Sequence, residues 1–531
     1  MTYLNAISLA GIFGLCAIAW LFSENRRFKY FPWRVMIGGI LVQLALGALV
    51  FVVPGSRNAL QVFSDLLNGV FNAADFGANF VFGSNIVPLP DRPATVDLGY
   101  IFAFRALPTV VFFGGLMALL YNIGVIQAIT VFFAKIFYST MRLSGAESLS
   151  GAANIFVGIE AAIVVKPFLE KMTRSELCAI LACCFGTSAS SVLAIYVSFL
   201  RPVFPNILAH LVSASIIGIP ACFVLSKILV PETGIPLTAE GIPNEDSLKD
   251  FEADEDQERT IAGEVIEKVG PLDAAIAGAL DGVRMAVGIA AVLIIILGLV
   301  SLINQFFGLL ASLPDPVGEI FQVITLQNIM GALFLPLTVL TGVSLEWTEL
   351  WQASLLIGRR FFETAIPSYQ ALGQLGQEGA VSDRTILIVS YALSGFAHLA
   401  SVGIFVGGTA ALIPSRRKDI TELGWKALFV GTLATVMIGC VAGVFDNGSP
   451  GILGNPVGEP APVIQPSPQD TPQETPQDAP QETPFPTEPS PASPTPNASP
   501  SPSPSPSPEA PVTNQSPAPA QSPSPSPVSP P

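Results

Sequence analysis

The chain of 531 residues has little charge. Asp, Glu, Lys and Arg make up 12% of it, whereas apolar residues make up 50%. Soluble globular domains carry about 25% charged residues, so this composition excludes an ordinary soluble enzyme and is typical of a polytopic membrane protein. The first apolar segment begins almost at Met1 and lacks a basic leader and a small-residue cleavage site. We therefore expect it to be retained rather than removed as a signal peptide.

The sequence also lacks the spacing of a cysteine metal site. All six cysteines lie in apolar segments: Cys16, Cys178, Cys183, Cys184, Cys222 and Cys440. We expect them to be small buried side chains, with disulfides or a metal site as less favoured alternatives. No nucleophile–base motif is evident, so we expect a protein that is not an enzyme and carries no organic cofactor.

Acidic charge is concentrated at the periphery. Residues 231–270 hold twelve acids and three bases, and residues 450–531 hold seven acids and no Lys or Arg. The formal net charge of −15 therefore leaves a net charge of about +1 for the apolar part of the chain. The low isoelectric point indicates nothing about a substrate.

Eight apolar segments are candidate membrane spans: 4–22, 35–53, 106–133, 178–200, 206–230, 285–303, 386–413 and 426–444. Lys and Arg collect in the connections 26–34, 135–142 and 416–418, which predicts that these face the cytoplasm. Both termini of a multi-pass plasma (inner) membrane protein would then be extracytoplasmic.

Three further segments have a different character. Residues 61–83 combine apolar side chains at helical spacing with polar interruptions, which predicts an amphipathic helix lying on the bilayer. Residues 231–270 are predicted to form a solvated acidic loop. The Pro- and Ser-rich tail, 447–531, is predicted to be disordered and extended, a spacer or a ligand for an envelope partner.

Polar residues at membrane depth mark the most informative segment, 144–177. It places Glu147, Asn154, Glu160 and Lys166 among apolar residues, where ionisable and amide groups usually line a protein interior or a watery path. The segment is too polar to face lipid and too apolar for a solvated loop. Irregular backbone at this depth is tolerated only inside protein or along a cavity, so we expect a re-entrant hairpin.

The motif SGAESLSGAANIFVGIEAAIVVKPFLEKMTRSEL in this segment resembles the concentrative nucleoside transporters. Further blocks resemble the same family in the same order, at 33–51, 102–127, 272–294 and 394–420. The resemblance implies an all-α polytopic membrane protein with eight transmembrane helices and two re-entrant hairpins near 145–173 and 345–380. It also implies a homotrimer in the lipid bilayer.

The resemblance further implies a division into scaffold and transport parts. The predicted regions are N-terminal scaffold helices and the interfacial helix at 1–143, the first hairpin and transport-domain helices at 144–230, the acidic loop at 231–270, the C-terminal half with the second hairpin at 271–446, and the tail at 447–531. The scaffold would consist of roughly 1–143 and 271–340, and the mobile transport domain would consist of 144–230 and 345–446.

A sodium site is implied between the first hairpin and the fourth span. Its ligands would be the side chains of Asn154 and Thr187 and the backbone carbonyls of Val157 and Ser188. Simple hydrogen bonding between the hairpin and the helix is the alternative for the buried Asn and Thr. Proton coupling is a second alternative, but neither side chain titrates, which favours sodium as the coupling ion.

The nucleobase half of the substrate site departs from the family pattern. The family's Gln-Thr-Glu triplet is one residue shorter here, where Ile159 and Glu160 follow Gly158. The resemblance implies that Glu160 keeps the acidic role and that Ile159 replaces polar chemistry with an alkyl group. Val192 matches a position that packs against the base.

The ribose half departs further. The family's second hairpin carries an Asn-Glu pair, but Ala365 stands at the position of the Glu, and Glu363 lies two residues earlier. The seventh span is expected to present His398 and Ser401 on one side of a helix. His398 either contacts substrate or has a structural role, bonded to the neighbouring hairpin.

These residues predict a cation-coupled symporter for nucleosides or a related small heterocyclic solute, working by an elevator-type movement. A symporter for a different small polar solute is the first alternative. A membrane receptor or scaffold that does not transport is the second. No sequence feature indicates a nucleic-acid partner.

Overall fold

The computed structural model describes residues 3–52, 56–89, 91–96, 98–242, 270–314, 317–448 and 453. Most of the predicted acidic loop (243–269) and almost all of the predicted tail lie outside the described residues. Within the described part the chain forms helices and loops, with an isolated bridge between Leu89 and Arg92 and no extended strand.

Nineteen α-helices are described along the chain. They are α1 (Tyr3–Leu21), α2 (Trp33–Phe51), α3 (Ser56–Phe82), α4 (Phe102–Arg105), α5 (Leu107–Asn122), α6 (Val125–Met141), α7 (Gly145–Ala153), α8 (Lys166–Leu169), α9 (Arg174–Gly186), α10 (Ser190–Leu200), α11 (Ile207–Leu229), α12 (Pro271–Ala311), α13 (Val317–Gln322), α14 (Leu326–Leu340), α15 (Trp347–Glu363), α16 (Ala365–Gln377), α17 (Asp383–Ala392), α18 (Leu399–Leu412) and α19 (Arg417–Phe445). Short 3₁₀ helices span Phe28–Tyr30, Ile159–Val165 and Pro414–Arg416.

Seven described helical segments are long and apolar enough to cross a membrane, and they coincide with seven of the eight predicted spans. The eighth prediction, 386–413, corresponds to two shorter helices, α17 and α18, separated by residues 393–398. The span predicted at 178–200 is likewise divided into α9 and α10. Helix α14 was not among the predicted spans, because its 15 residues are too few for that length criterion.

Two helical hairpins lie near the predicted positions. The first consists of α7, a tip at residues 154–158, and the 3₁₀ segment Ile159–Val165 that leads into α8. The second consists of α15 and α16, joined at Thr364, whose φ of 72° is in the left-handed region. A non-glycine residue in this region is uncommon, and such residues often mark functional turns.

Capping boxes fix where the first hairpin and the following helix begin. Ser144 accepts the backbone N–H of Glu147, and the Glu147 carboxylate accepts the N–H of Ser144. Thr173 and Glu176 make the same pair of bonds at the start of α9. These bonds satisfy helix-end N–H groups that would otherwise be unpaired inside the protein.

The helices differ in how much of their surface is buried. Helices α9, α11 and α19 are almost entirely buried and form the core, whereas α12 is highly apolar and mostly exposed. Helix α12 crosses α5 at close range, and a Cβ on Gly114 would lie 2.7 Å from the Gly278 carbonyl oxygen. Helix α3 has the amphipathic pattern predicted for 61–83, since Phe71, Ala74 and Ala78 are buried along one face.

Candidate functional site

Three helix interruptions meet in the interior. They are the tip of the first hairpin, the break between α9 and α10, and the break between α17 and α18. The Ser190 hydroxyl donates to the Phe156 carbonyl at 2.9 Å, which joins the first two interruptions. The Phe396 N–H donates to the Thr187 carbonyl at 3.2 Å and brings in the third. Interrupted helices expose backbone carbonyl and N–H groups, which is how many transporters build their ion and substrate sites.

Asn154 lies at this junction and is fully buried. Its amide nitrogen donates to the Ser150 carbonyl at 3.2 Å, and its side-chain oxygen has no hydrogen-bond partner among the described residues. A buried carbonyl oxygen without a donor costs roughly 1–3 kcal/mol. Such an oxygen is a suitable ligand for a hard cation.

The other predicted cation ligands lie beside it. The Thr187 hydroxyl is 3.1 Å from the Asn154 carbonyl and 2.8 Å from the Cys183 carbonyl. The Ser188 hydroxyl donates to the Ser394 carbonyl, so Ser188 also belongs to this junction. Val157 lies in the hairpin tip. The side chains of Asn154 and Thr187 and the backbone carbonyls of Val157 and Ser188 are neutral oxygens, a kind of ligand that suits a hard monovalent cation.

Acidic and sulfur ligands are not gathered in the described part of the chain. No group of three His, Cys, Asp or Glu side chains there is arranged to hold a metal ion. The described cysteines are all buried, as the sequence predicted.

Glu160 is an exposed carboxylate in the 3₁₀ segment that follows the hairpin tip. One of its oxygens accepts the Gly158 N–H at 2.9 Å, and among the described residues the other makes no hydrogen bond. The backbone of Ile159 begins the 3₁₀ segment, and its side chain lies outside the described residues. Val192 is buried in the first turn of α10, and the neighbouring Ser191 hydroxyl donates to the sulfur of Met285 on α12 at 3.4 Å.

His398 and Ser401 are neighbours, but the predicted placement of both on one helix is wrong. His398 precedes α18 with an extended backbone (φ −141°, ψ 158°), and Ser401 lies in the first turn of the helix. The Ser401 hydroxyl is 3.1 Å from the imidazole nitrogens. The spacing of three residues predicted that both side chains lie on one helix, but α18 begins at Leu399, one residue after His398.

The two candidate residues of the second hairpin have different surroundings. Ala365 is buried at the start of α16 and offers only a methyl group. Glu363 ends α15 and has both carboxylate oxygens engaged, since Gln327 of α14 donates to one and Arg359 donates to the other at 2.8 Å.

Glu363 lines a cavity of about 450 Å³ between α12, α14 and α15. Asn304 of α12 extends its hydrogen-bond network, because its amide donates to the Gln327 side-chain oxygen at 2.9 Å and its oxygen accepts the Leu326 N–H at 2.9 Å. Sequence reasoning did not identify Gln327 or Asn304. The one feature of the sequence that could have indicated them is that each is an amide side chain within an apolar segment.

Arg360 was also missed. Its side chain is fully buried, and its guanidinium donates to the Ala392 carbonyl at 2.6 Å and to the Thr435 hydroxyl at 2.9 Å. These bonds connect the second hairpin to the end of α17 and to α19. The residue therefore fixes one edge of the α17–α18 break.

Comparison with known proteins agrees with this architecture. Family models described as Na+ dependent nucleoside transporter N-terminus, nucleoside recognition (Gate), and Na+ dependent nucleoside transporter C-terminus match residues 10–85, 103–203 and 210–443.

Three known proteins match this chain over nearly the whole of their own length. An uncharacterized transporter of Haemophilus influenzae is 34% identical over 82% of this chain and 97% of its own. The nucleoside permease NupC of Helicobacter pylori is 31% identical over 84% of this chain and 99% of its own. The solved structure of CNTnw in an inward-facing substrate-bound state is 35% identical, has a TM-score of 0.71, and is matched over 85% of this chain and 99% of that one. The chain is therefore a multi-pass membrane protein of the concentrative nucleoside transporter family, which is a family of transporters and not of enzymes.

Proposed function

We propose that the protein is a sodium-coupled symporter that imports a nucleoside or a related small heterocyclic solute. The observation that carries this proposal is the buried side-chain oxygen of Asn154, which has no donor among the described residues and lies where three helix interruptions meet. A bound sodium ion would satisfy that oxygen. Asn154, Thr187 and the carbonyls of Val157 and Ser188 would hold it, and its charge would draw the three interruptions together around the solute.

Sodium coupling supplies enough energy for accumulation. One charge crossing 100 mV yields about 2.3 kcal/mol. A tenfold sodium gradient adds about 1.4 kcal/mol. Together these support roughly 500-fold accumulation of a neutral solute.

The solute site combines Glu160, Ile159 and Val192 on one side with His398 and Ser401 on the other. Ala365 provides no hydrogen bond, and the Glu363 carboxylate is already bonded to Gln327 and Arg359. This favours a solute that needs fewer contacts from the second hairpin than an ordinary ribonucleoside does. A different small polar solute is the second candidate for this reason.

The elevator-type mechanism and the trimer form part of the same proposal. Two helical hairpins and two broken helices suit a transport domain of 144–230 and 345–446 that moves against a scaffold of 1–143 and 271–340. The exposed apolar surface of α12 suits subunit contacts within the bilayer. The basic connections 26–34, 135–142 and 416–418 favour termini outside the cytoplasm.

Uptake by the full chain in proteoliposomes tests the proposal. Radiolabelled uridine and adenosine should accumulate only with an inward sodium gradient. Asn154→Ala and Thr187→Val should each raise the sodium concentration for half-maximal uptake about fivefold or more, because each removes a ligand oxygen.

Thr409→Val is the matched control, since Thr409, like Thr187, is a buried threonine, but it lies within α18. It should leave the sodium dependence unchanged. Unaltered sodium dependence in both Asn154→Ala and Thr187→Val would exclude this cation site. Uptake without any sodium requirement would exclude sodium symport.

A further inference from the structure

A groove of about 400 Å³ lies between α18 and the start of α19, away from the helix interruptions. Small apolar side chains of α18 form its walls, and Arg417 and Thr421 of α19 stand at its other side. The lining residues on α18 and in the turn after it are Val406, Gly407, Ala410, Ala411 and Pro414. The groove is thus apolar along α18 and cationic where α19 begins.

The apolar part of the groove is open. A Cβ built on Gly407 would meet no heavy atom within 4 Å, and Ala411 is exposed one turn further on. A ridge of larger side chains on α18 would fill this space, so the small residues are what keep the groove concave. Its shape fits a linear hydrocarbon chain lying along a helix.

The cation at its end is available for a ligand. Arg416 is bonded to Asp419 at 2.8 Å and to the carbonyls of Glu170 and Met172. Arg417 and Lys418 are exposed, and neither has an ion-pair partner within the described ranges. The nearby carboxylate of Glu170 accepts the Ser415 hydroxyl at 2.9 Å, and Asp419 is paired with Arg416 and Arg174. Of these cations, Arg417 is the one that lines the groove, and it has no ion-pair partner within the described ranges.

We infer that this groove binds an anionic phospholipid, with an acyl chain along α18 and the phosphate beside Arg417. Charge complementarity and the place in the fold both support a lipid. The cations stand where the apolar helix α18 ends, which is where a bilayer would present its headgroups, and basic pockets between membrane helices commonly bind such groups. A bound lipid would cover the joint between α18 and α19.

Native mass spectrometry of the full chain in detergent tests the inference. The protein is mixed with equal amounts of dioleoyl-phosphatidylglycerol and dioleoyl-phosphatidylcholine. The wild type should retain phosphatidylglycerol in preference to phosphatidylcholine. Arg417→Gln should reduce this preference about fivefold, because one phosphate contact is lost.

Filling the groove should remove the lipid without altering any charge. Gly407→Leu places a side chain in the open space and should abolish the tightly held phosphatidylglycerol. If that variant does not fold, Ala411→Leu fills the same groove from an exposed position. Gly403→Leu and Lys418→Gln are the matched controls, since Gly403 is equally open on the same helix and Lys418 is the adjacent cation, but neither lines the groove.

Equal retention of phosphatidylglycerol in the wild type, Arg417→Gln and the groove-filling variant would overturn the inference. The inference would also be overturned if the groove-filling variant changed its oligomeric state while its lipid retention stayed the same. That result would show that a second copy of the chain occupies the groove. A loss confined to Arg417→Gln and the groove-filling variant would support it.

Discussion

At the scale of single residues, the proposed solute site depends on one exposed carboxylate. Glu160 follows the tip of the first hairpin, and within the described part of the chain its carboxylate accepts one hydrogen bond, from the Gly158 N–H. The remaining lone pairs can accept donors from a heterocycle, and a charged acceptor makes these hydrogen bonds stronger than neutral ones. Glu363, by contrast, has both oxygens occupied by protein donors.

Glu160→Gln should therefore weaken solute binding with little effect on folding. The glutamine oxygen can still accept the Gly158 N–H, so the hairpin tip should keep its shape, whereas the charge is lost. We expect the dissociation constant for the transported solute to rise about tenfold or more. Isothermal titration with sodium present would measure this, together with the thermal unfolding midpoint.

The matched control is Glu378→Gln, since Glu378 is an exposed carboxylate at the end of the second hairpin and lies outside the proposed site. Its solute affinity should equal that of the wild type. A wild-type dissociation constant for Glu160→Gln would remove Glu160 from the site.

At the scale of secondary-structure elements, one polar network holds three helices together. Gln327 of α14 accepts from Asn304 of α12 and donates to Glu363 at the end of α15. Since each amide bonds to the next, removing the central one leaves the Glu363 oxygen Oε1 without its donor and the Asn304 amide N–H without its acceptor. Buried groups in such a state are costly.

Gln327→Leu should destabilise the protein by about 1–3 kcal/mol, because the buried Glu363 carboxylate loses one of its donors. Gln305→Leu is the control: Gln305 lines the same cavity but is exposed, and among the described residues its amide donates to Ser301 on its own helix. Denaturant unfolding in detergent would compare the two variants. Equal stability of Gln327→Leu and the wild type would show that the network contributes nothing to stability.

At the scale of the whole molecule, an ion-pair network joins the ends of distant helices. Glu24, in the connection between α1 and α2, is bonded to Arg174 at the start of α9 and to Lys426 of α19. Burial alone would raise the pKa of Glu24, but the hydrogen bonds and charges of Lys426 and Arg174 outweigh it and hold that pKa below its usual range. A carboxylate with a lowered pKa stabilises the fold above the pKa of the unfolded chain and ceases to do so as the pH falls through its folded pKa.

Glu24→Gln should thus lower stability at pH 7 by about 1 kcal/mol or less, because the group is partly exposed and solvent screens it. The difference from the wild type should shrink as the pH falls through the lowered pKa of Glu24, because the wild-type carboxyl then becomes protonated as well. Thermal unfolding from pH 3 to pH 8 would measure this. Glu346 is an exposed carboxylate that precedes α15, and the control variant Glu346→Gln should show no such pH dependence. A pH-independent effect of Glu24→Gln would rule out an ionic origin of the stabilisation.

The sequence alone was sufficient to predict most of the membrane spans and the first hairpin, whereas the second hairpin was predicted from the resemblance of motifs. Apolar length identified seven of the spans, because a helix in lipid must satisfy its backbone bonds internally and be apolar on the outside. The polar residues of 144–177 likewise predicted the first hairpin. Both properties are local, and a local property can be read from neighbouring residues.

The resemblance of motifs then predicted the family, which the comparisons confirmed. The site residues themselves, including Glu160, His398 and the cation ligands, stay predictions until they are tested.

Only the tertiary structure determined where helices break and which polar groups pair. Hydropathy gave α9 and α10 as one span, although Thr187 and Ser188 interrupt it, and placed His398 on a helix that begins after it. It also gave no sign that Gln327 would bond to Glu363, 36 residues away. A break is stable only when another segment satisfies the backbone groups that it exposes, as Phe396 does for the Thr187 carbonyl. Such partners come from distant parts of the chain, so the pairing is decided when the helices pack.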